Sequence, residues 1–320
     1  MPRAINTSTS LRARRTRALR RLVGVIWALT RAVLIIGLSY VILYPMFVNI
    51  SKSFMTPRDL VDTTVKWVAR DFRISNVVEN YRNASRLMDY PRALLNSIML
   101  SLVVSSVQVI SCSVIGYGLA RFMFPGRNLL FVCVIITFLV PPQMMMVPMF
   151  LNFRFFNVFG LLGDRGMNLL GTFWPFVLTS VTGMGMRNGL LIYIVRQYFR
   201  GVSRELEEAA YVDGAGQFAT FTRVMIPNAV PIMIIVFLFS FVWQWNDALW
   251  TTTYLGQAIN ILPVAFDRMM MSSHELVNIG NYKPMMANTG MVLFVAPLLV
   301  LYAFLQRHFV ESVERAGIVG

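Results

Sequence analysis

Long apolar runs alternate with polar segments along the whole chain, and each run is close to the length of a membrane-spanning helix. A helix rises about 1.5 Å per residue, so about 20 apolar residues cross the hydrocarbon core of a bilayer. Six runs meet this requirement, at about residues 32–50, 94–120, 129–151, 168–195, 226–250 and 290–305. The pattern predicts an all-α fold, a polytopic membrane helical bundle with six transmembrane helices.

The polar segments between these runs predict how the chain is organised. Residues 1–31 form a basic N-terminal segment, and residues 32–320 form the transmembrane domain. Residues 51–93 are too mixed in charge to enter lipid, so we expect an extracytoplasmic loop with some helix. Residues 196–225 are also polar, and we expect them to form a long cytoplasmic loop before the fifth span.

The composition supports a membrane protein over a soluble one. Hydrophobic residues make up 56% of the chain, charged residues make up 14%, and the mean hydropathy is +0.60. The alternative is a large soluble helical core, but a soluble domain has too little interior to bury so much apolar surface.

The positive charge lies where a membrane topology requires it. Seven arginines and no acidic residue occupy positions 1–21, ahead of the first apolar run. With the N-terminus inside, the inner segments hold 15 basic residues and the outer segments hold 12. The positive-inside rule and anionic lipid headgroups account for this distribution without nucleic acid. We therefore expect both termini to be cytoplasmic.

The chain offers few groups for catalysis or cofactor binding. Cys112 and Cys133 lie in apolar runs at no metal-ligand spacing, and His274 and His308 are far apart in sequence. No phosphate-binding loop of the pattern GxxxxGKS/T is present. We expect no catalytic residue, no metal site and no cofactor in this chain.

Proline and glycine interrupt several predicted spans, among them Pro141, Pro142, Pro148, Pro175, Gly183, Pro231 and Pro297. Broken helices at membrane depth are tolerated where the freed backbone groups meet protein or a water-filled cavity. This pattern favours a transporter, and ordinary kinks between packed helices are the alternative.

The polar stretch "ELEEAAYVDGAG" is typical of a short helix that ends abruptly. Its glutamates lie in the first turns, where the helix dipole favours anions. Ala209 and Ala210 favour helix with little bulk, and Asp213 and Gly214 end it. A second short helix is expected at about residues 217–225, and two short helices with a small alanine face predict a docking knob. The alternative is an amphipathic helix on lipid headgroups, but an anionic surface would repel the glutamates.

This stretch resembles the EAA loop of ABC importer permeases, in which Glu-Ala-Ala is followed by a spaced glycine and a terminal proline. Here Glu208, Ala209 and Ala210 precede Gly214, and Pro227 follows at the family spacing. Further stretches, such as "GYGLARFMFPGR", "PPQMMMVPMF" and "FVWQWNDALW", resemble the carbohydrate-uptake, maltose-type branch. The likeness covers about residues 32–320, although the tail lacks the lysine that this branch often carries before its last glycine.

The resemblance implies a type I ABC importer permease fold in a bacterial inner membrane and the import of a sugar or oligosaccharide. It implies that Glu208 pairs with a basic residue of an ATPase, that Ala209 and Ala210 allow close approach, and that Asp213 and Gly214 turn the chain. The implied partners are a second homologous permease, two ABC ATPase subunits that bind ATP and Mg²⁺, and an extracytoplasmic solute-binding protein.

The polar cluster Gln244, Trp245, Asn246 and Asp247 is the candidate for the substrate pathway. Amides and a carboxylate beside indole rings suit a ligand with many hydroxyls. Alternatively, Asp247 lies at the membrane edge and the tryptophans form an interfacial belt. Two other functions stay open. One is an ABC permease for an amino acid or peptide. The other is a secondary transporter, which would require more buried carboxylates.

Overall fold

A computed structural model describes residues 7–62, 64–65, 67–70, 72–158, 160–161, 163, 166–271 and 282–318. Residues 1–6 of the basic segment and the last two residues of the tail lie outside this range, as does His274. Within it the chain is helical and forms no strand, apart from one isolated bridge between Phe156 and Met167. The predicted all-α fold is confirmed.

The helices follow one another as α1 (Thr7–Ser53), α2 (Pro57–Val61), α3 (Ile74–Met88), α4 (Tyr90–Arg121), α5 (Arg127–Leu139), α6 (Pro142–Arg154), α7 (Trp174–Val181), α8 (Asn188–Gly201), α9 (Glu205–Val212), α10 (Gln217–Thr220), α11 (Ile226–Trp245), α12 (Leu249–Leu255), α13 (Leu262–Met271) and α14 (Tyr282–Ile318). A single π-helical turn, Phe221–Met225, joins α10 to α11.

Four helical stretches are long and apolar enough to cross a membrane: Leu22–Ser53, Tyr90–Arg121, Gln217–Trp245 and Lys283–Gln306. They correspond to the first, second, fifth and sixth predicted spans. The first stretch belongs to α1, which continues without a break across the predicted domain boundary at residues 31 and 32. Its most apolar window buries none of its residues within the chain, as expected for a helix that faces lipid.

The third predicted span is not a continuous helix. It consists of α5 and α6, which meet at an angle of 101°. Val140 leaves helical geometry at the end of α5, because a residue before proline is pushed towards extended backbone. Pro141 then caps α6, and Pro142 occupies its first turn, where no backbone N–H is needed.

The fourth predicted span is also split. Its first residues, before Trp174, are not helical, and the rest is divided between α7 and α8. Between those helices, Gly183 has φ +73°, and Arg187 has φ +56°, which is uncommon for a residue with a side chain. Glycine reaches this left-handed conformation without a steric penalty, so Gly183 allows the chain to leave α7.

Helix α4 lies at the centre of the bundle and packs against α7, α8 and α11. It buries a row of small polar side chains, which let neighbouring helices approach closely. Among them, Gln108 donates from Nε2 to the carbonyl of Met186 at 3.2 Å and accepts a hydrogen bond from Ser240. Its amide therefore joins α4, α11 and the break between α7 and α8.

Candidate functional site

The predicted docking knob is a well-defined feature, which we call the coupling segment (Ser203–Met225). Helix α9 carries three glutamates in its first turn and ends at Val212, with Asp213 as its C-cap. Gly214 follows with φ +82°, and the N–H of Ala215 returns to the carbonyl of Ala210 at 2.9 Å. This left-handed turn satisfies carbonyls at the end of α9, because it points the following N–H groups back at the helix.

The residues predicted to meet an ATPase do not share one environment. Glu208, Ala209, Asp213 and Gly214 are exposed, whereas Ala210 is buried against the chain itself. A partner can therefore approach Glu208 and Ala209 directly. Ala210 instead lies on the buried side of α9, which packs against the rest of the chain.

A buried ion pair, which the sequence did not reveal, attaches α9 to α4. Arg121 Nε lies 3.3 Å from Glu207 Oε1, and both side chains are about nine-tenths buried. Arg121 also donates from Nη2 to the carbonyl of Val202 at 2.7 Å. Tyr117, one turn earlier on α4, packs against Phe221 with the rings tilted by 37° and their centroids 4.7 Å apart. The coupling segment is thus fastened to the last turn of the central helix.

A cavity of about 500 Å³ forms the second candidate site. It lies between α6, the break between α7 and α8, the end of α11, and α12. Residues 184–187 of the break line this cavity, so the interrupted fourth span forms part of its wall beside α11.

Two of the four predicted pathway residues line this cavity, namely Gln244 and Asp247. Both are buried, and the Nε2 of Gln244 has no hydrogen-bond partner within the described part of the chain. Asp247 accepts from the N–H of Trp250 at 3.2 Å and from both the N–H and the hydroxyl of Thr251 at 2.9 Å. Its carboxylate therefore caps the start of α12.

The other two predicted residues point elsewhere. Trp245 is buried in the bundle, where its ring stacks on Phe241 and its indole N–H donates to the carbonyl of Phe294 at 3.3 Å. Asn246 is exposed and donates to the carbonyl of Val242 at 2.7 Å, beside a separate hollow. The end of α11 presents consecutive side chains in different directions, so adjacency in sequence did not make one site.

The cavity also contains a polar pair outside the predicted cluster. The guanidinium of Arg187 lies 4.7 Å from the ring centroid of Trp243, a cation–π contact. Asn188 is 1% exposed, and its Oδ1 has no hydrogen-bond partner among the residues described. The signal for this pair was its polarity within an otherwise apolar run.

No group of three His, Cys, Asp or Glu side chains in the described ranges is arranged to hold a metal ion.

Comparison with known proteins identifies the family. The family model described as "Binding-protein-dependent transport system inner membrane component" matches residues 113–315, which include the coupling segment and most of the cavity. The chain belongs to this family. It is a multi-pass component of the inner membrane, and the resemblance to ABC importer permeases seen in the sequence is confirmed.

Curated relatives and a solved structure agree with this assignment. The chain is 29% identical to the alpha-glucoside transport system permease protein AglG of Rhizobium meliloti over 76% of this chain, but the match spans only 60% of AglG. It is 26% identical to the arabinooligosaccharides transport system permease protein AraQ of Bacillus subtilis, over 92% of this chain and 95% of AraQ.

The fold also resembles a chain in the crystal structure of a bacterial ABC transporter involved in the import of the acidic polysaccharide alginate. The TM-score is 0.69 at 20% identity, covering 97% of this chain and all of that one. At this identity the likeness establishes the fold, and it supports the predicted type I permease architecture.

Proposed function

We propose that this chain is one of two permease subunits of an ATP-driven importer that moves a sugar or oligosaccharide into the cytoplasm. The other components are a second homologous permease, two ABC ATPase subunits and an extracytoplasmic solute-binding protein. The observation that carries the proposal is the exposed end of α9, where Glu208 and Ala209 lie beside the turn at Gly214.

The coupling segment has the properties that a mechanical joint between two proteins requires. Its outer face offers a carboxylate at Glu208 and almost no bulk at Ala209, which suits a groove with a basic residue. Its inner face is held by Ala210 and by the ion pair between Glu207 and Arg121. A displacement of α9 is therefore transmitted to α4, the helix at the centre of the bundle.

Several further properties follow from this role. ATP and Mg²⁺ bind the partner ATPases, and this chain has neither a catalytic residue nor a cofactor of its own. Both termini and the coupling segment lie on the cytoplasmic side, so the arginine-rich start of α1 meets anionic lipid headgroups. The sugar class rests on the sugar-transporting relatives and on the buried polar side chains in the cavity wall, which suit hydroxyl groups.

The test is charge reversal at the docking face. We expect Glu208→Lys to abolish uptake by the assembled transporter and to leave the amount of the chain in the membrane unchanged. Lysine has a helix propensity similar to that of glutamate, but it places a like charge against the basic residue of the ATPase. Uptake of radiolabelled sugar and ATP hydrolysis are measured in proteoliposomes that contain the whole complex.

Gln197→Lys is the matched control, because Gln197 is exposed on α8, outside the coupling segment. This variant should transport normally. Normal uptake by Glu208→Lys at normal abundance would show that Glu208 does not dock the ATPase. Recovery of the native chain from its own membrane with no ATPase attached would count against the proposal as a whole.

A further inference from the structure

The cavity contains two buried polar atoms that the fold leaves unused. They are the Nε2 of Gln244 and the Oδ1 of Asn188, on residues that are 4% and 1% exposed. A buried polar group without a partner costs about 1–3 kcal/mol, and such groups are rare in native structures. One of these atoms is a donor and the other an acceptor, and both residues line the same space.

Other polar groups near the cavity are already satisfied by the protein. The carboxylate of Asp247 accepts three hydrogen bonds from the start of α12. Gln108 is occupied by Met186 and Ser240. The contrast separates polar groups that are already bonded within the protein from two polar atoms that have no partner among the described residues.

A ligand hydroxyl matches the two unused atoms better than a charged group does. A hydroxyl both accepts and donates, so it can accept from Gln244 and donate to Asn188. A carboxylate only accepts, and it would leave Asn188 facing a second acceptor. The stacked rings of Trp250 and Tyr254, 5.3 Å apart, add an apolar surface for the C–H face of a sugar ring.

The formal charge of the cavity also favours a neutral ligand. Arg187 contributes one cation and Asp247 one anion to the lining, so their charges balance. Arg187 forms no ion pair with a carboxylate in the described part of the chain and instead lies over Trp243. An acidic ligand would gain the attraction of Arg187 but would meet the repulsion of Asp247 within the same space.

We propose that Gln244 and Asn188 bind a neutral, hydroxyl-rich ring of the transported sugar directly, and that Arg187 and Asp247 together select against acidic sugars. The proposal rests on the sugar-importer function above. It assigns a ligand-contacting role to this chain and a substrate class to the cavity.

The first experiment uses Gln244→Leu in the complex of both permeases and both ATPases, reconstituted in nanodiscs without the binding protein. The probes are radiolabelled trehalose, maltotriose, arabinotriose and digalacturonate, and binding is measured by equilibrium dialysis. We expect affinity for the preferred neutral sugar to fall about tenfold, the effect of one lost hydrogen bond. The matched control is Gln197→Leu, the same change on an exposed face of α8, and it should bind as the native complex does.

The thermal stability of Gln244→Leu distinguishes binding from a structural role. The substitution removes a buried donor that has no partner, so the melting temperature of the sugar-free complex should stay equal or rise. Weaker binding together with undiminished stability supports the proposal. Unchanged affinity overturns it, and so does a fall in affinity that accompanies a fall in the melting temperature of the sugar-free Gln244→Leu complex.

The second experiment changes the charge balance. Asp247→Asn keeps an oxygen to cap α12 but leaves the cavity with a net positive charge. We expect the ratio of digalacturonate binding to neutral-sugar binding to rise at least fivefold. A native complex that prefers digalacturonate overturns the selectivity.

The sugar-importer function and the cavity assignment are contradicted by different results. A native complex, supplied with its binding protein, that imports none of the four probes but imports an amino acid or a peptide contradicts the sugar-importer function itself. Import of a neutral sugar that is indifferent to Gln244 and Asp247 contradicts the cavity assignment alone.

Discussion

The helix, the turn and the exposed acid of the coupling segment lie in one continuous stretch of the chain, whereas helices far apart in the chain line the cavity. The coupling segment needs a short helix, a glycine turn and an exposed acid, and local physics specifies each of them. The cavity forms where the break between α7 and α8 lies beside the end of α11. The geometry proposed for docking therefore follows from neighbouring residues, whereas the geometry of the cavity depends on how distant helices pack.

Two neighbouring glutamates repeat this contrast within α9. Glu208 is exposed and is the residue proposed to dock an ATPase, whereas Glu207 is buried against Arg121. The same chemical group therefore faces outwards at one position and forms an internal ion pair at the next.

The largest effect should come from breaking the internal attachment. Glu207→Ala leaves Arg121 buried with no counter-charge, and loss of one member of a buried ion pair costs about 3–5 kcal/mol. We expect a lower melting temperature in detergent and faster proteolysis of the coupling segment. Glu205→Ala, an exposed site on the same helix, is the control and should change stability little.

Replacement of both charged residues tests whether the unpaired charge causes the loss of stability. Glu207→Leu combined with Arg121→Met should recover much of the lost stability, because no buried charge is left unpaired. A Glu207→Ala variant as stable as the native protein would mean that the pair does not hold α9.

A smaller effect on stability, but a large one on transport, is expected from Gly214→Val. The residue has φ +82°, and a β-branched side chain resists this conformation at a cost of about 1–2 kcal/mol. No atom lies within 4 Å of where a Cβ would stand, so the effect comes from backbone strain and not from a clash. Uptake per ATP hydrolysed should fall at least tenfold.

Gly214→Asn provides the comparison, because asparagine adopts left-handed backbone more readily than most residues. It should retain most of the coupling. Equal activity of the valine and asparagine variants would show that the turn does not depend on positive φ.

The smallest effect concerns the wall of the cavity. Asp247→Ala removes the acceptor that caps α12 and should lower stability by about 1 kcal/mol, whereas Asp247→Asn should lower it by less. Chemical denaturation of the purified chain measures both. An alanine variant that matches the asparagine variant would contradict the capping role.

The first, second, fifth and sixth predicted spans correspond to long apolar helices, because run length is a local property. The other two do not, since Pro141 and Pro142 bend one and Gly183 helps to open the other. Those breakers were visible in the sequence. Their consequence, a cavity beside α11, was not visible, because it depends on where the broken ends pack.

The cluster Gln244–Asp247 shows the same limit at the scale of single side chains. Sequence proximity predicted one site, but the end of α11 turns Trp245 into the core and Asn246 towards a different hollow. Asn188 and Arg187 join Gln244 from another part of the chain. Their meeting follows from tertiary packing, for which one sequence carries no periodic signal.

The sequence was enough to predict the membrane setting, the family and the coupling segment, because hydropathy, helix capping and a glycine turn all act between near neighbours in the chain. Only the packed bundle shows that Glu207 pairs with Arg121 while Glu208 is exposed, and that Asn188 lines the same cavity as Gln244. These facts depend on which helix faces lie against one another, and that is a property of the packed bundle.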